Sequence, residues 1–332
     1  MLNSSQFVNN PTYSAAVEDW VDYPEDKTDT TNGRSFKTVD QPLVAQVAGD
    51  NIDNLIKCGE KLQRHVTAID LNLGCPQSIA KRGNYGAYLL PQREKVCSIV
   101  EAMVRNLDCP ITVKIRKLSK NEETIRLCQD LESCGISMLT VHGRTKEQNK
   151  QYVGAADWGI IKHVRNSVSI PVLANGGIGS YGDIQKCIDI TGVHGVMSSE
   201  AILENPYLFT LGNEFMFTKE NYIKSQLGVV TEYLKLVSVF ANRQGVSAEY
   251  LSYLATCSKG HLFKFLHRMF NSPLLSDLRP KLGPAGSLEE VFLIFEEVQS
   301  RLNAASEAEK LFDKTLWYHR HLKSSERSEA SS

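Results

Sequence analysis

A cysteine closes an apolar run in Asp70-Leu71-Asn72-Leu73-Gly74-Cys75-Pro76. Val66 to Leu73 reads as a short buried strand, and Gly74-Cys75-Pro76 breaks it. Cys75 is therefore expected on a loop at a strand's carboxyl end, with the Asn72 amide just upstream on the same side. In α/β proteins the carboxyl ends of parallel strands are where ligands bind and chemistry happens. The competing explanation is a small buried apolar thiol, the common state of a free cysteine. Other polar residues close the neighbouring apolar runs. Gln46 ends Leu43-Val44-Ala45, Lys114 and Arg116 end the run from Ile111, and His142 and Arg144 follow Leu139-Thr140-Val141. Asn175-Gly176-Gly177 follows Val172-Leu173-Ala174, and Ser198-Ser199-Glu200 follows Gly195-Val196-Met197. Any one of these could simply satisfy buried backbone. Polar residues at six successive strand ends are what the carboxyl face of a barrel collects.

The residue types narrow the chemistry. A lysine and an amide aimed at a ring, with a Gly-rich loop to take a phosphate, suit a flavin mononucleotide. A thiol beside such a ring could give or take a proton while the flavin handles hydride. No His, Asp or Glu pair suggests a metal, so no metal is expected. Lys114 keeps a Schiff-base lyase open as an alternative.

Positioning these groups requires a repeated strand-then-helix order, which the sequence carries. Strands are expected at Leu43–Val47, Ala68–Leu73, Ile111–Ile115, Met138–Val141, Val172–Ala174 and Gly195–Met197. Helices are expected at Ile52–Gln63, Arg93–Asn106, Glu122–Cys134, Trp158–Arg165 and Tyr181–Thr191. Parallel neighbours need such crossovers, so the fold class is α/β with a parallel sheet. Gly177-Ile178-Gly179-Ser180-Tyr181-Gly182 matches a dinucleotide-binding pattern, but that pattern belongs to the first βα turn and this one comes late. A (β/α)8 TIM-type barrel followed by a C-terminal helical domain is the better reading. About six βα units are visible where closure needs eight. Residues 1–40 are polar and offer no strand; 41–215 form the barrel domain and 216–322 the helical domain. Within the latter, helices are expected at Asn221–Asn242, Tyr250–Asn271, Leu288–Ala304 and Glu307–Leu322. The Ser/Glu/Arg-rich end, 323–332, reads as a disordered tail.

The 332 residues carry a net charge of −1, so no global basic field announces a nucleic-acid binder and any such patch is local. Eight cysteines without a CxxC pair fit reduced intracellular thiols. Neither a signal-like start nor a long apolar run is evident, which points to a soluble, intracellular chain without a membrane partner, and a monomer is expected. The expected location is the cytoplasm, with the nucleus as the alternative.

Taken in order, several motifs resemble the tRNA-dihydrouridine synthase family. They are Asp70 to Gln77, Ala80-Lys81-Arg82-Gly83, Val113 to Arg116, Val141 to Thr145, Ala174 to Gly177 and Asn205-Pro206. Gly195 to Glu200 and His261-Leu262-Phe263-Lys264 resemble the eukaryotic branch that modifies positions 16 and 17 of the D-loop. The resemblance implies an FMN enzyme that reduces the C5–C6 bond of tRNA uridines with NADPH or NADH. It implies Cys75 as the acid that protonates C5 while hydride goes from FMN to C6. Gln46, Lys114 and His142 would contact the flavin, and Asn175, Gly176, Gly177, Ser199 and Glu200 its phosphate region. Asn72, Arg116 and Arg144 would face the uridine, and Lys81 and Arg82 the tRNA phosphates. His261, Lys264 and Arg268 would share a helix face toward tRNA, although a solvated face explains them equally.

The family's opening Ala-Pro-Met strand, the helix after it and a second strand have no counterpart here, so the barrel is expected to be N-terminally incomplete. A catalytically impaired or inactive tRNA-binding relative is therefore the main alternative. An FMN barrel oxidoreductase acting on a small metabolite is another.

Overall fold

The computed structural model describes residues 1–11, 13–14, 42–149, 153–210, 219–243, 245–306 and 318. Seven strands lie side by side in chain order, each parallel to the next. They are β1 (Leu2–Asn3), β2 (Val44–Ala48), β3 (Ala68–Leu73), β4 (Ile111–Arg116), β5 (Met138–His142), β6 (Val172–Asn175) and β7 (Gly195–Met197). The intervening helices are α1 (Ser4–Asn9), α2 (Ile52–Leu62), α3 (Ser78–Arg82), α4 (Arg93–Asn106), α5 (Asn121–Ser133), α6 (Trp158–Ser167) and α7 (Tyr181–Thr191). This is the barrel-type parallel α/β sheet expected, but open: among the described residues β1 and β7 each pair on one side only.

One strand was not expected. Residues 1–40 read as irregular, yet Leu2 and Asn3 pair with Val47 and Ala48. Two residues are too few to show any alternation, and the pairing partner lies far along the chain. Asn3 then caps α1 by accepting from the Gln6 N–H at 3.0 Å. The remaining strands form where apolar runs meet turn residues.

Apolar and polar residues alternate over Ile69–Leu73, Ile111–Arg116 and Leu139–His142, and the register aligns the alternation across these strands. Ile69, Leu71 and Leu73, Val113 and Ile115, Leu139 and Val141, and Val172 and Ala174 are all buried on one face. The opposite face carries the polar residues in three rows. Gln46, Asp70 and Thr112 are register partners, as are Asn72, Lys114 and Thr140. Arg116, His142 and Asn175 form the third row, nearest the carboxyl ends. Because side chains of adjacent register partners point the same way, the rows become stacked polar layers.

Helix starts follow the local chemistry. Asn51 accepts from the Asn54 N–H at 2.9 Å to begin α2, and Asp157 accepts from the Ile160 N–H at 3.1 Å to begin α6. No described helix is long and apolar enough to cross a membrane. Among the described residues no group of three or more His, Cys, Asp or Glu side chains could hold a metal ion.

The chain divides into two compact units. The first is Met1–Gly177 with Lys186–Met197; the second is Ile178–Gln185 with the described residues from Ser198 onward. In the second unit, α8 (Lys219–Ala241), α9 (Ala248–Phe265), α10 (His267–Phe270), α11 (Leu278–Leu282) and α12 (Leu288–Ala304) gather around Val230, Leu262, Leu266, Met269, Val291 and Val298. The expected boundary at 215/216, most of the expected helix from Glu307 and the tail from 323 lie outside the described residues. The helix expected over Tyr250–Asn271 is two helices, divided at Leu266, where ψ rises to 12°. The bend coincides with the run in which Phe265, Leu266, Met269 and Phe270 are all buried. His261, Lys264 and Arg268 therefore do not share one continuous helix face. Arg268 stacks on the buried Tyr222 ring at 4.1 Å, and His261 Nδ1 lies 2.7 Å from the Tyr233 hydroxyl.

Candidate active site

The polar face of the sheet converges on the loop after β3. Asp70, 5% exposed, accepts from Thr112 Oγ1 at 2.7 Å and from Gln46 Nε2 at 2.8 Å. Gln46 Oε1 accepts from Asn72 Nδ2 at 2.7 Å. Asn72 Oδ1 in turn accepts from the backbone N–H groups of Gly74 (3.0 Å) and Cys75 (2.9 Å). A continuous chain thus runs from a buried carboxylate to the backbone of the cysteine.

The loop is held from its other side as well. The Ala87 N–H donates to the Cys75 carbonyl at 3.1 Å, and the Tyr88 hydroxyl to the Pro76 carbonyl at 3.1 Å. Gly86 has φ +64°, and a Cβ there would meet the Cys75 carbonyl oxygen at 2.8 Å, so only glycine fits. Arg116 Nε donates to the Gly74 carbonyl at 2.9 Å, and its Nη1 to the Thr145 and Gln148 carbonyls. Cys75 is left partly exposed on a loop clamped by three elements.

Around it stands a set of basic groups. Burial pushes the Lys114 ammonium down to about 8, helped by the Arg116 charge and opposed by Asp70. Lys114 has no ion-pair partner among the described residues. Burial also holds the His142 imidazole well below the usual range, reinforced by Lys114, Arg116 and Arg144. A neutral imidazole can accept from Arg144 Nη1, which lies 3.2 Å from His142 Nε2. Arg144 Nε donates to the Gly154 carbonyl at 2.9 Å. Asn175 donates to the Met197 carbonyl at 2.9 Å. Gly176 and Gly177 follow at φ +90° and +82°, where added Cβ atoms would meet His142 Nε2 at 2.7 Å and Trp158 Nε1 at 2.9 Å.

Cys75, Arg116, His142, Arg144, Asn175, Gly176 and Gly177 thus lie at the carboxyl end of one sheet, whereas Gln46 and Lys114, expected to end their strands, lie inside them, with Asn72, in deeper rows of the same face. Lys81 and Arg82 are exposed in the last turn of α3, directly after the cysteine loop. Ser199 and Glu200 belong to the second compact unit, just before the 3-10 turn Ala201–Leu203. Asp70 and Thr112 were not foreseen as site residues. The available signal was a carboxylate inside a wholly buried strand, which must find donors.

The family "Dihydrouridine synthase (Dus)" matches residues 12–269 of this chain. The chain belongs to that family. It is 38% identical over 262 residues to the tRNA-dihydrouridine(16/17) synthase-like protein of Mus musculus, an alignment covering 79% of this chain and 50% of that protein. It is 32% identical over 263 residues to the tRNA-dihydrouridine(16/17) synthase of Saccharomyces cerevisiae, covering 79% of this chain and 59% of that protein. Both names specify NAD(P)(+). The chain spans about half the length of the curated relatives it matches. Among solved structures, DHODH from Eimeria tenella aligns at 16% identity with a TM-score of 0.39, over 48% of this chain and 52% of that one. The Dus match extends across both compact units, through the polar layers and into α10.

Proposed function

We propose that this dihydrouridine synthase family member reduces uridine to 5,6-dihydrouridine in the D-loop of tRNA, at positions 16 or 17, with NAD(P)H as the reductant. The observation that carries the reading is the partly exposed Cys75 thiol on a loop anchored through Asn72, at the strand ends of a family member. The catalytic domain is 41–215 and the tRNA-binding domain the helical region 216–322. The place of work is the cytoplasm.

The residues present fit FMN. Lys114 is a half-buried cation without an acidic partner among the described residues, and Gln46 and Asn72 each keep a second amide N–H for a ring edge. Asn175, Gly176 and Gly177 bring bare backbone to the same end of the sheet. When bound, FMN supplies hydride to C6 of the uracil. Cys75 holds the proton that reaches C5 from Sγ, and the clamped loop keeps that atom in place. Neutral His142 and Arg144 shape the pocket wall rather than exchange protons, because burial among cations keeps His142 unprotonated. The target base must leave the tRNA stack to reach such a site, and the exposed Lys81 and Arg82 would hold the flanking phosphates.

A second reading is a tRNA-binding relative without turnover. Incubation with FMN, NADPH and unmodified tRNA, followed by mapping of dihydrouridine, decides between them. Product at 16 or 17 supports the reductase; bound tRNA without product supports the alternative.

A further inference from the structure

We propose that Asp70 is a positioning residue: it fixes the direction of the hydrogen-bond chain that ends on the Cys75 backbone. The consequence for catalysis rests on the function proposed above, but the positioning itself does not.

An amide side chain can donate at one end and accept at the other, and its two orientations fill the same space. Gln46 and Asn72 could each be turned over without a change in shape. Something must choose. The loop N–H groups of Gly74 and Cys75 need an acceptor, which Asn72 provides only when its oxygen faces them. That orientation turns Asn72 Nδ2 toward Gln46, which must then present its own oxygen. Gln46 Nε2 is thereby left facing Asp70. Asp70 Oδ2 accepts that N–H and its Oδ1 accepts from Thr112, so neither carboxyl oxygen is turned to donate along the chain. Burial raises the Asp70 pKa, and these two donors oppose that rise. Thr112 Oγ1 donates to the other carboxyl oxygen at 2.7 Å. The chain runs one way between two ends that agree: loop N–H groups that need an acceptor, and a buried carboxyl group whose two oxygens both accept.

The order of the residues is set by the sheet. Gln46 and Thr112 are the register partners of Asp70 on either side, and Asn72 lies two residues further along β3 on the same face. Asp70 is thus placed to act on Cys75 through two amides while remaining remote from the loop along β3.

The test uses the whole chain and needs neither cofactor nor turnover. Cys75 labelling by iodoacetamide is followed on the tryptic peptide His65–Lys81, which contains no other cysteine. Cys257, in the second unit, is the internal control. Asp70→Asn lets the root present either an oxygen or an N–H to Gln46, so the chain loses its fixed direction, and Cys75 labelling is expected to quicken about threefold or more, the scale of one hydrogen bond, with Cys257 unchanged. Adding Gln46→Glu moves the acceptor-only group one step along the chain. Asn72 must again donate toward it, so the double variant should return Cys75 labelling to the wild-type rate. A packing role alone would give no such rescue. Wild-type labelling in Asp70→Asn, or a double variant as fast as the single, overturns the proposal. Should Asp70→Asn fail to fold, the double variant answers alone: wild-type labelling supports the proposal and faster labelling overturns it. Labelling as expected in a wild-type chain that forms no dihydrouridine would refute the proposed function and leave the positioning role standing.

Discussion

Gly176 leaves the space that His142 fills: a Cβ on Gly176 would lie 2.7 Å from both His142 Cδ2 and Nε2. The backbone there also sits at φ +90°, which side chains other than glycine's rarely adopt. Gly176→Ala is therefore expected to destabilise the fold by about 1–3 kcal/mol and to weaken FMN binding as His142 is displaced. Urea unfolding with flavin fluorescence titration checks this. Unchanged stability would show that the loop relaxes freely.

Lys114 sets a pH dependence. Its folded-state pKa, about 8, lies below the ordinary lysine value of 10.5 because the ammonium is buried. Below about pH 8 the folded chain bears the cost of a buried cation. Between there and the ordinary lysine range the unfolded chain binds the extra proton, so stability rises with pH. Relative to Lys114→Met, the wild-type chain should gain stability on going from about pH 7 to about pH 9.5. Unfolding at both values, without cofactor, reads the difference. A constant or shrinking difference would contradict the assignment.

Gln226 holds the second unit together from inside. It is 1% exposed, and its Nε2 donates to the carbonyls of Glu204 (2.9 Å) and Phe265 (2.7 Å). Gln226→Met keeps the shape and removes both donors, leaving buried carbonyls unsatisfied. A loss of about 1–3 kcal/mol is expected by thermal or urea unfolding. A neutral effect would mean that water reaches those carbonyls.

The parts of this fold legible in the sequence are those written locally. Ala68–Leu73 is an uninterrupted buried strand ended by Gly-Cys-Pro, and it forms at its expected bounds. β1 was not legible, because two residues carry no period and their partner is Val47 and Ala48. The bend at Leu266 has no proline or glycine to announce it. At the site, the strand-end residues were visible as types, while their connections were not. Asp70 meets Gln46 and Thr112 only through the register of three strands, which a single run cannot encode.

Lys81 and Arg82 offer a test of the tRNA surface. Both are exposed, so Lys81→Ala with Arg82→Ala should leave the fold intact. The slope of log affinity for tRNA against log salt should fall by about 1–2 as phosphate contacts are lost. Filter binding across a salt series measures it. An unchanged slope would place the phosphates elsewhere.

On the function proposed above, Cys75 delivers the proton in uridine reduction. Dihydrouridine formed on unmodified tRNA, with FMN and NADPH, should be measured in single turnover for the wild-type chain and for Cys75→Ala. The wild-type chain should form the product at position 16 or 17, and Cys75→Ala should be slower by about 100-fold or more, the usual worth of a positioned acid. Equal rates in the two would contradict it.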